Sequence, residues 1–525
     1  MGRLPADGRG AKSSPSNRAR TVGPRRGTGL LVLHIDGLGA ATLAKARRLG
    51  LAPNLDALLT GGDNAAVEWS SALPSDTLAV QSGLFWGSST GIPAYQWWDR
   101  DRQRRVTAMD PATVVALDHA HASAGVAGLL SGGACHSAAI GGGAARATLT
   151  VPSGGRTMAS TLRDTVTAAF DAIRRRQRPL PSAAPARANP ERLGAQASRR
   201  LQAVAAGGRL AGAVAAAGAI RDLRERLPVV FASFIAYDLV AHLGGPRSAV
   251  ALGTITPIDR SIALVLEAIT TAPREYVAII LSDHGVCAAS PARDALAPDP
   301  VKWVADEWAR RGRPNAPSAV EVVASGTLLN AWVRGARSRL DIQELDRCAP
   351  GFVSAVSRHP MVGLAIVADR RDPSSTHPAA PSTVLAFGPG GVARLRGGDH
   401  ATSSESWHPV ISIEGRDPLA TFDRPREVAA HVARYGARND AGDVTCIAAP
   451  LATRGTLPPD AWSFEGQAGA HGGIGGEQGR PFVIAPRDCL PATSARRNPA
   501  SMHSWLRTLL PSDAGPRRLP GSPVP

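Results

Sequence analysis

The sequence predicts an α/β protein, doubly wound, with a mostly parallel sheet between helices. Short apolar runs of strand length alternate along the chain with longer stretches of helical period. The runs are apolar on both faces, which is typical of strands buried between two layers of helices. The chain has 525 residues and a hydrophobic content of 44%, so it can bury a large core.

The alternation begins with the apolar run GLLVLHI at residues 29–35, which is followed by the helical stretch APNLDALLTGG. It continues with PVVFASFIAY from Pro228, the helical stretch AVALGTITPIDRSIALVLEAI from Ala249 and the run YVAIILS from Tyr276. The run RPFVIAP from Arg480 supplies a late strand. Strands that alternate with helices in this way favour parallel pairing.

Composition sets the expected domain boundaries. Residues 1–28 and 491–525 are rich in Pro, Gly, Arg and Ser, which predicts a disordered basic N-terminal tail and a flexible C-terminal tail. Between them we expect one folded domain at residues 29–490. Polar and Pro-rich stretches within it predict two insertions, inserted cap segments at about residues 100–225 and 290–420.

The net charge of +16 comes almost entirely from arginine. It is concentrated in the N-terminal tail and at residues 174–178, without the interleaved aromatic residues of single-strand binders, so no specific nucleic-acid binding is expected. A positive field does favour a small phosphorylated substrate. The five cysteines stand singly, which argues against a disulfide framework and against a zinc–thiolate site. No signal peptide or transmembrane span is visible, so we expect a soluble, cytoplasmic protein.

Three of the predicted strands lead into an aspartate, at Asp36, Asp238 and Asp283. The carboxyl ends of parallel strands meet at one edge of a sheet, where ligands bind. A lone aspartate after a strand is more often a helix cap or turn residue. Here, however, His242 follows Asp238 by four residues and His284 directly follows Asp283. Carboxylates and imidazoles bind zinc and similar ions, and this set exceeds one tetrahedral site, so we predict two divalent metal ions, with zinc as the expected metal.

The stretch LPSDTLAVQSGLFWG offers a nucleophile for such a site. Ser75, Asp76 and Thr77 precede a plausible helix, and one of them is expected to cap it. Capping does not exclude catalysis, because the amide donors and the dipole at a helix N-terminus favour a phosphate. Metal coordination would lower the pKa of the Thr77 hydroxyl and produce a nucleophile at neutral pH.

An ordered set of motifs resembles the alkaline phosphatase superfamily, in its type I phosphodiesterase/nucleotide pyrophosphatase branch. The motifs are HIDGLG, APNLDALL, LPSDTLAVQSGLFWG, TGIPAYQWWDR, YDLVAHLGGP, IDRSI, LSDHG and GAHGGIGGEQGRPF. The resemblance runs from about residue 30 to residue 485, so it covers most of the chain. It implies an alkaline-phosphatase-like catalytic domain at residues 29–490.

The resemblance also implies two sets of metal ligands. One set surrounds a first zinc-like ion and consists of Asp36, Thr77, Asp283 and His284. The other set holds a second ion and consists of Asp238, His242 and His471. Thr77 would be the residue that is transiently phosphorylated or nucleotidylated.

The implied function is that of a two-metal-dependent phosphoesterase, a phosphodiesterase or nucleotide pyrophosphatase acting on a nucleotide-like substrate. Nucleotide-cleaving members of the branch carry an asparagine soon after the nucleophile, whereas this chain has Tyr95 and Gln96 there. We therefore expect the Gln96 amide to bind the phosphoryl group in its place. Trp97 and Trp98 could stack against a flat group of the substrate, although aromatic pairs more often pack in the hydrophobic core.

Two kinds of alternative stay open. Phosphomonoester hydrolysis or phosphoryl transfer could use the same metals, whereas sulfate ester hydrolysis would require Cys or Ser in place of Thr77. A protein of another class, catalytically inactive and polyanion-binding, would work through its arginine-rich segments. Near the site, we expect His34 to support the metal ligands rather than bind, and Asp259 to buttress the segment of Asp238 and His242.

Overall fold

The structure is a computed structural model in which the chain is described over most of its length. The described residues are 27–125, 127–152, 190–291, 298–317, 319–369, 383–398, 409–451 and 460–510. Almost all of the predicted N-terminal tail, and the arginine run at residues 174–178, lie outside these ranges.

In the described residues the chain forms nineteen strands and thirteen α-helices. The strands are β1 (Gly29–Ile35), β2 (Asn64–Glu68), β3 (Gln96–Asp99), β4 (Arg104–Thr107), β5 (Ala134–His136), β6 (Arg146–Thr148), β7 (Val229–Phe234), β8 (Tyr276–Leu281), β9 (Cys287–Pro291), β10 (Val320–Ser325), β11 (Leu328–Val333), β12 (Val362–Asp369), β13 (Thr383–Gly388), β14 (Gly391–Arg396), β15 (Val410–Gly415), β16 (Val444–Ala448), β17 (Ala461–Ser463), β18 (Gly469–Ala470) and β19 (Phe482–Pro486). The helices are α1 (Ala40–Arg48), α2 (Pro53–Thr60), α3 (Thr77–Trp86), α4 (Pro111–Ser123), α5 (Pro190–Arg224), α6 (Ala236–Gly244), α7 (Ala249–Gly253), α8 (Ile255–Thr270), α9 (Pro300–Arg311), α10 (Ile342–Cys348), α11 (Phe352–Val356), α12 (Pro425–Gly436) and α13 (Pro499–Thr508).

The main sheet has seven strands in the order β2-β19-β8-β1-β7-β5-β6. Strand β1 lies at its centre, where Leu33 pairs with Ala232 of β7 and with Ile280 of β8, both in parallel register. Only β19 runs antiparallel to its neighbours. The prediction of an α/β fold with a mostly parallel sheet is confirmed.

Helices cover both faces of this sheet. Along β1, Leu31 and Leu33 point into a core formed with α1, α2, α5, α6 and α8. The alternate residues Leu30 and Val32 point into a second core formed with α3, α4 and α13. Because both faces of the strand are buried, the run is apolar throughout, and the doubly wound arrangement is confirmed.

The region predicted as an inserted cap segment, at about residues 290–420, contributes six strands to a second sheet. Strands β10 to β15 from this region join β16 in a seven-stranded sheet of order β10-β11-β16-β12-β13-β14-β15, with antiparallel pairing. Helices α9, α10 and α11 pack on one face and α12 on the other. The described part of the region is therefore a folded layer with two hydrophobic cores.

The region at about residues 100–225, also predicted as an insertion, contributes to the main core. Strands β5 and β6 extend the main sheet beyond β7. Helix α5 packs against β7, with Ala215, Ala219 and Leu223 buried. Its Ala- and Gly-rich sequence permits close backbone approach: a Cβ at Gly208 would lie 2.7 Å from the Cα of Ala236. This composition gives a weak apolar pattern, which is why the sequence suggested an insertion.

Two helical stretches, Arg199–Arg224 and Ala249–Thr270, are long and apolar enough to cross a membrane by length and composition. In the structure their buried residues, such as Ala219 and Ile262, pack in the core beside the main sheet. This packing is typical of core helices.

The folded part of the chain continues past the predicted domain boundary at residue 490. Helix α13 lies against α3, with Met502, Trp505 and Leu506 buried between them. The indole N–H of Trp505 donates a hydrogen bond to the Cys489 carbonyl, 3.0 Å away. The sequence of residues 491–525 predicted a flexible tail because the apolar face of α13 is short. The surface that covers this face belongs to a distant segment of the chain.

Substitution Leu506→Ala should lower the free energy of unfolding by about 2–5 kcal/mol, because it leaves a cavity between α13 and α3. The side chain is 1% exposed. The measurement is a denaturant titration beside Ser504→Ala, a change on the exposed face of the same helix. Equal unfolding midpoints for the two variants would show that α13 contributes nothing to the folded core.

Candidate active site

Three aspartates meet at the carboxyl edge of the main sheet. Asp36 directly follows β1, Asp283 lies two residues beyond β8, and Asp238 lies in the first turn of the helix that follows β7. Because β8, β1 and β7 are adjacent and parallel, their ends bring the three carboxylates together, and all three are buried. The convergence expected from the sequence is present in the structure.

A first group of side chains consists of Asp36, Asp283 and His284. The His284 Nε2 atom lies 3.4 Å from Asp283 Oδ2 and 3.7 Å from Asp36 Oδ1. Its Nδ1 donates to the Gly285 carbonyl at 3.1 Å, so in the neutral ring the lone pair on Nε2 faces the carboxylates. The Thr77 Oγ1 atom completes the group, 3.1 Å from His284 Nε2 and 3.4 Å from Asp36 Oδ1.

A second group consists of Asp238, His242 and His471. The two imidazoles face each other with 3.0 Å between their Nε2 atoms, while Asp238 lies 3.3 Å from His242 and 3.8 Å from His471. Each ring donates Nδ1–H to a backbone carbonyl, that of Gly469 for His242 and that of Ser75 for His471. Two imidazole lone pairs at this separation repel unless a cation, either a proton or a metal ion, lies between them.

The donor atoms fit divalent cations. Among the described residues, Asp238 Oδ1 and Asp283 Oδ2 are buried and have no hydrogen-bond partner. Buried carboxylate oxygens of this kind are costly unless they are paired or coordinate a metal. Carboxylate oxygen and imidazole nitrogen are zinc-type ligands. The rings of His284 and His471 stack with 3.8 Å between centroids, so the two groups are contiguous.

Electrostatics at the sheet edge reflect this concentration of charge. Burial, together with Asp283 and Asp238, raises the pKa of Asp36 well above its usual value. Burial opposes protonation of His242, but the neighbouring Asp238 carboxylate outweighs it and raises the pKa of His242 to about 9. Burial and the cationic forms of His284 and His242 lower the pKa of His471 to about 3. The group of residues therefore accommodates positive charge, as a metal site does.

A small three-stranded sheet explains how His471 reaches a site almost 190 residues away in sequence. Strand β9 follows His284 closely, and β18, which immediately precedes His471, pairs with it through Ala470 and Cys287. His471 is then held next to the nucleophile stretch, because Gly472 and Ser75 form a backbone bridge. No local pattern in the glycine-rich loop could have indicated this pairing.

The structure separates the roles of Ser75, Asp76 and Thr77. The Ser75 hydroxyl donates to the Gly473 carbonyl at 2.8 Å and so anchors the loop of His471. Asp76 caps α3 by accepting from the Leu78 N–H. Thr77 is the first residue of the helix and directs its hydroxyl towards Asp36 and His284. Asp76 is buried in the site as well, and burial raises its pKa to about 7.

Other residues hold the ligands in place. His34 lies 3.2 Å from Asp283 through Nε2 and 2.7 Å from the Ser233 hydroxyl through Nδ1, which agrees with the predicted supporting role. Gly37 donates its N–H to Asp283 Oδ1 and has a φ of +70°, and a Cβ there would collide with Asp238. Only glycine satisfies both conditions.

One supporting residue was assigned wrongly. Asp259 does not buttress the Asp238 segment: it accepts hydrogen bonds from the backbone N–H groups of Asn54 and Leu55 and so caps α2. The helix start has no capping side chain of its own, so the cap comes from α8 across the core. Trp97 and Trp98, considered as a floor for a flat group, are buried in the core instead.

Two clefts open from Thr77. The first encloses about 940 Å³ and the second about 550 Å³. The residues that line both are Asp76, Thr77, Tyr95 and Asp238. Gln96 lines the second cleft, together with His242 and His471 of the second group.

Sequence reasoning missed several residues of the second cleft. Ser325 and Gly326 come from the second sheet, and Glu465 and Gln467 from the segment between β17 and β18. They lie far apart in sequence and form no motif, so only the packing of the second sheet against the main sheet assembles them.

The chain matches one protein-family model. Residues 30–364 match the family model described as type I phosphodiesterase/nucleotide pyrophosphatase. No curated protein sequence matches the chain.

Solved structures with similar folds include phosphonoacetate hydrolase from Sinorhizobium meliloti 1021 in complex with phosphonoformate, at 16% identity and a TM-score of 0.48, with 92% of this chain and 96% of that chain covered. They also include murine ectonucleotide pyrophosphatase/phosphodiesterase 5, at 11% identity and a TM-score of 0.42, with 87% of this chain and 88% of that chain covered.

The family match spans more than half of the 525-residue chain and contains six of the seven predicted ligand and nucleophile positions. The remaining position, His471, lies beyond it and is brought to the site by β18. The chain therefore belongs to the type I phosphodiesterase/nucleotide pyrophosphatase family of the alkaline phosphatase superfamily, a family of phosphoester hydrolases.

Proposed function

We propose that the chain is a two-metal phosphodiesterase that acts through a covalent Thr77 intermediate. The observation that carries this proposal is the position of the Thr77 hydroxyl, 3.1 Å from His284 Nε2 and 3.4 Å from Asp36 Oδ1, at the junction of the two clefts. Asp36, Thr77, Asp283 and His284 would hold one ion, and Asp238, His242 and His471 the other.

The reaction proceeds in two displacements. Two divalent cations, zinc in our proposal, would stabilise charge on the phosphoryl oxygens and lower the pKa of the Thr77 hydroxyl. Thr77 Oγ1 forms a bond to phosphorus while the bond to the leaving oxygen breaks, and the proton lost by Thr77 ends on the leaving alcohol. Water then attacks phosphorus, the bond to Thr77 breaks, and Oγ1 regains a proton from that water.

The two clefts favour a diester over a monoester. A phosphodiester carries two substituents on phosphorus, and each cleft that opens at Thr77 can accommodate one of them. Gln96 lines the second cleft, and in our proposal it donates its side-chain amide to a phosphoryl oxygen. A nucleotide-like diester or pyrophosphate is the substrate class implied by family membership.

Purified protein should contain about two divalent ions per chain, and the Asp238→Asn and Asp283→Asn variants should each lose about one, because each removes a ligand of one group. Metal content is measured by mass spectrometry beside Asp488→Asn, an exposed aspartate outside the site. Chelation should abolish hydrolysis of an aryl phosphodiester, and added zinc should restore it. A chain that binds no zinc, manganese or magnesium would contradict the proposed site.

Replacing the nucleophile tests the covalent step. Thr77→Ala should reduce turnover of an aryl phosphodiester at least about 10³-fold, because no hydroxyl is left to attack phosphorus. Thr77→Ser, which retains a hydroxyl, should keep part of the activity, and Thr60→Ala on the exposed end of α2 should keep all of it. If folded, metal-loaded Thr77→Ala protein turned over at the parental rate, Thr77 would not be the nucleophile.

The ratio of diester to monoester hydrolysis separates the proposed reaction from its alternative, phosphomonoester hydrolysis on the same metals. Bis(p-nitrophenyl) phosphate should exceed p-nitrophenyl phosphate in kcat/KM by at least about tenfold, because its second aryl group occupies a cleft that the monoester leaves to water. A preference in the opposite direction would assign the site to monoesters.

A further inference from the structure

The two clefts that meet at Thr77 differ in chemistry. The first has largely aliphatic walls, with Leu78, Met109, Leu149, Val151, Ile235 and Leu239 among its lining residues. The second is formed by polar side chains, with Gln96, Ser325, Glu465 and Gln467 next to His242 and His471. A substrate that fills both clefts therefore experiences two different environments on the two sides of its phosphorus.

Gln467 is the most informative residue of the second cleft. Its side chain is 5% exposed, and its carbonyl oxygen is buried with no hydrogen-bond partner among the described residues. Leaving such an oxygen unpaired costs free energy, which a bound hydrogen-bond donor would recover. The backbone here is held firmly, because the Ala468 N–H donates to the His242 carbonyl at 3.0 Å and the Ala289 N–H donates to the Ala468 carbonyl at 3.0 Å.

Glu465 adds an acceptor to the same wall. One of its carboxylate oxygens accepts the Gly326 N–H at 2.8 Å, which fixes the side chain between the two sheets. Its negative charge also acts on His242, whose protonated form it stabilises. A cleft lined by the Glu465 carboxylate and by Gln467 favours a substituent that donates hydrogen bonds and disfavours one that carries negative charge.

We propose that the enzyme selects phosphodiesters with unlike substituents, an apolar group in the aliphatic cleft and a hydrogen-bond-donating group, hydroxyl or ammonium, against Glu465 and Gln467. This inference rests on the proposed diesterase function and narrows its substrate class. It also disfavours a pyrophosphate whose second group is an anionic phosphate, because that group would lie against the Glu465 carboxylate.

Three p-nitrophenyl diesters with arms of similar length test the proposal. Their second ester groups are 2-aminoethyl, n-propyl and 2-(trimethylammonio)ethyl, so that the first supplies donors and charge, the second neither, and the third charge without a donor. The parent enzyme should prefer the aminoethyl ester over the propyl ester by about tenfold or more in kcat/KM, as a hydrogen bond to a charged group predicts. It should prefer the aminoethyl ester over the trimethylammonio ester as well.

Two variants connect the preference to the cleft. Gln467→Met, close in size but without the amide, and Glu465→Gln should each reduce the kcat/KM ratio of the aminoethyl ester to the propyl ester severalfold. Gln343→Met on α10, a glutamine outside the lining of both clefts, is the matched control and should keep the parental ratio.

The possible outcomes distinguish failure of this inference from failure of the proposed diesterase function. Equal kcat/KM for the aminoethyl and propyl esters would overturn the inference and leave the diesterase intact. A preference for the trimethylammonio ester equal to that for the aminoethyl ester would overturn the role of hydrogen bonding to Gln467. If metal-loaded protein hydrolysed none of the three esters, the proposed diesterase function would be wrong. Titration of the esters into Thr77→Ala protein would still decide whether the second cleft binds the aminoethyl ester more tightly than the propyl ester.

Discussion

The burial of three carboxylates at one edge of the main sheet is the constraint on which the rest of the site depends. Asp36, Asp238 and Asp283 are buried and lie close to one another. Burial disfavours the charged form of each carboxylate, and repulsion from Asp283 and Asp238 adds to this effect at Asp36. Positive charge must offset this cost. The His242 imidazole, whose protonated form is stabilised by Asp238, supplies part of it, and divalent ions at the proposed site would supply the rest. The same buried carboxylates would then give the proposed site its affinity for metal.

The second sheet has a specific part in this arrangement. The turn between β10 and β11 packs directly on the loop of His471: the Thr327 N–H donates to the His471 carbonyl at 3.0 Å, and the Gly473 N–H donates to the Thr327 hydroxyl at 2.8 Å. A Cβ at Gly326 would collide with the His471 carbonyl. Because glycine allows this close approach, the antiparallel layer fixes one ligand of the site on the main sheet and contributes Ser325 to the second cleft.

Reaction class and specificity are carried by different parts of the molecule. Asp36, Asp283 and His284 follow strands of the main sheet, Asp238 and His242 lie on the helix after β7, and Thr77 begins α3. His471 is the exception, because it follows β18 of the small three-stranded sheet. The walls of the two clefts come from loops and from the second sheet. This division explains why family membership indicates phosphoester hydrolysis, while the choice of ester substituents depends on residues such as Glu465 and Gln467 that belong to no motif.

The sequence by itself determined the parallel core and predicted six of the seven candidate ligand and nucleophile positions, because strand ends and short motifs are local signals and parallel pairing converts them into proximity. His471 came only from the resemblance, since its spacing carries no information. Tertiary structure alone decided that residues 290–420 form a second antiparallel sheet, that α13 belongs to the core, and that Asp259 caps α2. It also decided which cleft is apolar and which is polar. Each of these features depends on contacts between segments that are far apart in the chain. Whether one segment is buried depends on which distant segment packs against it, and no local sequence pattern identifies that partner.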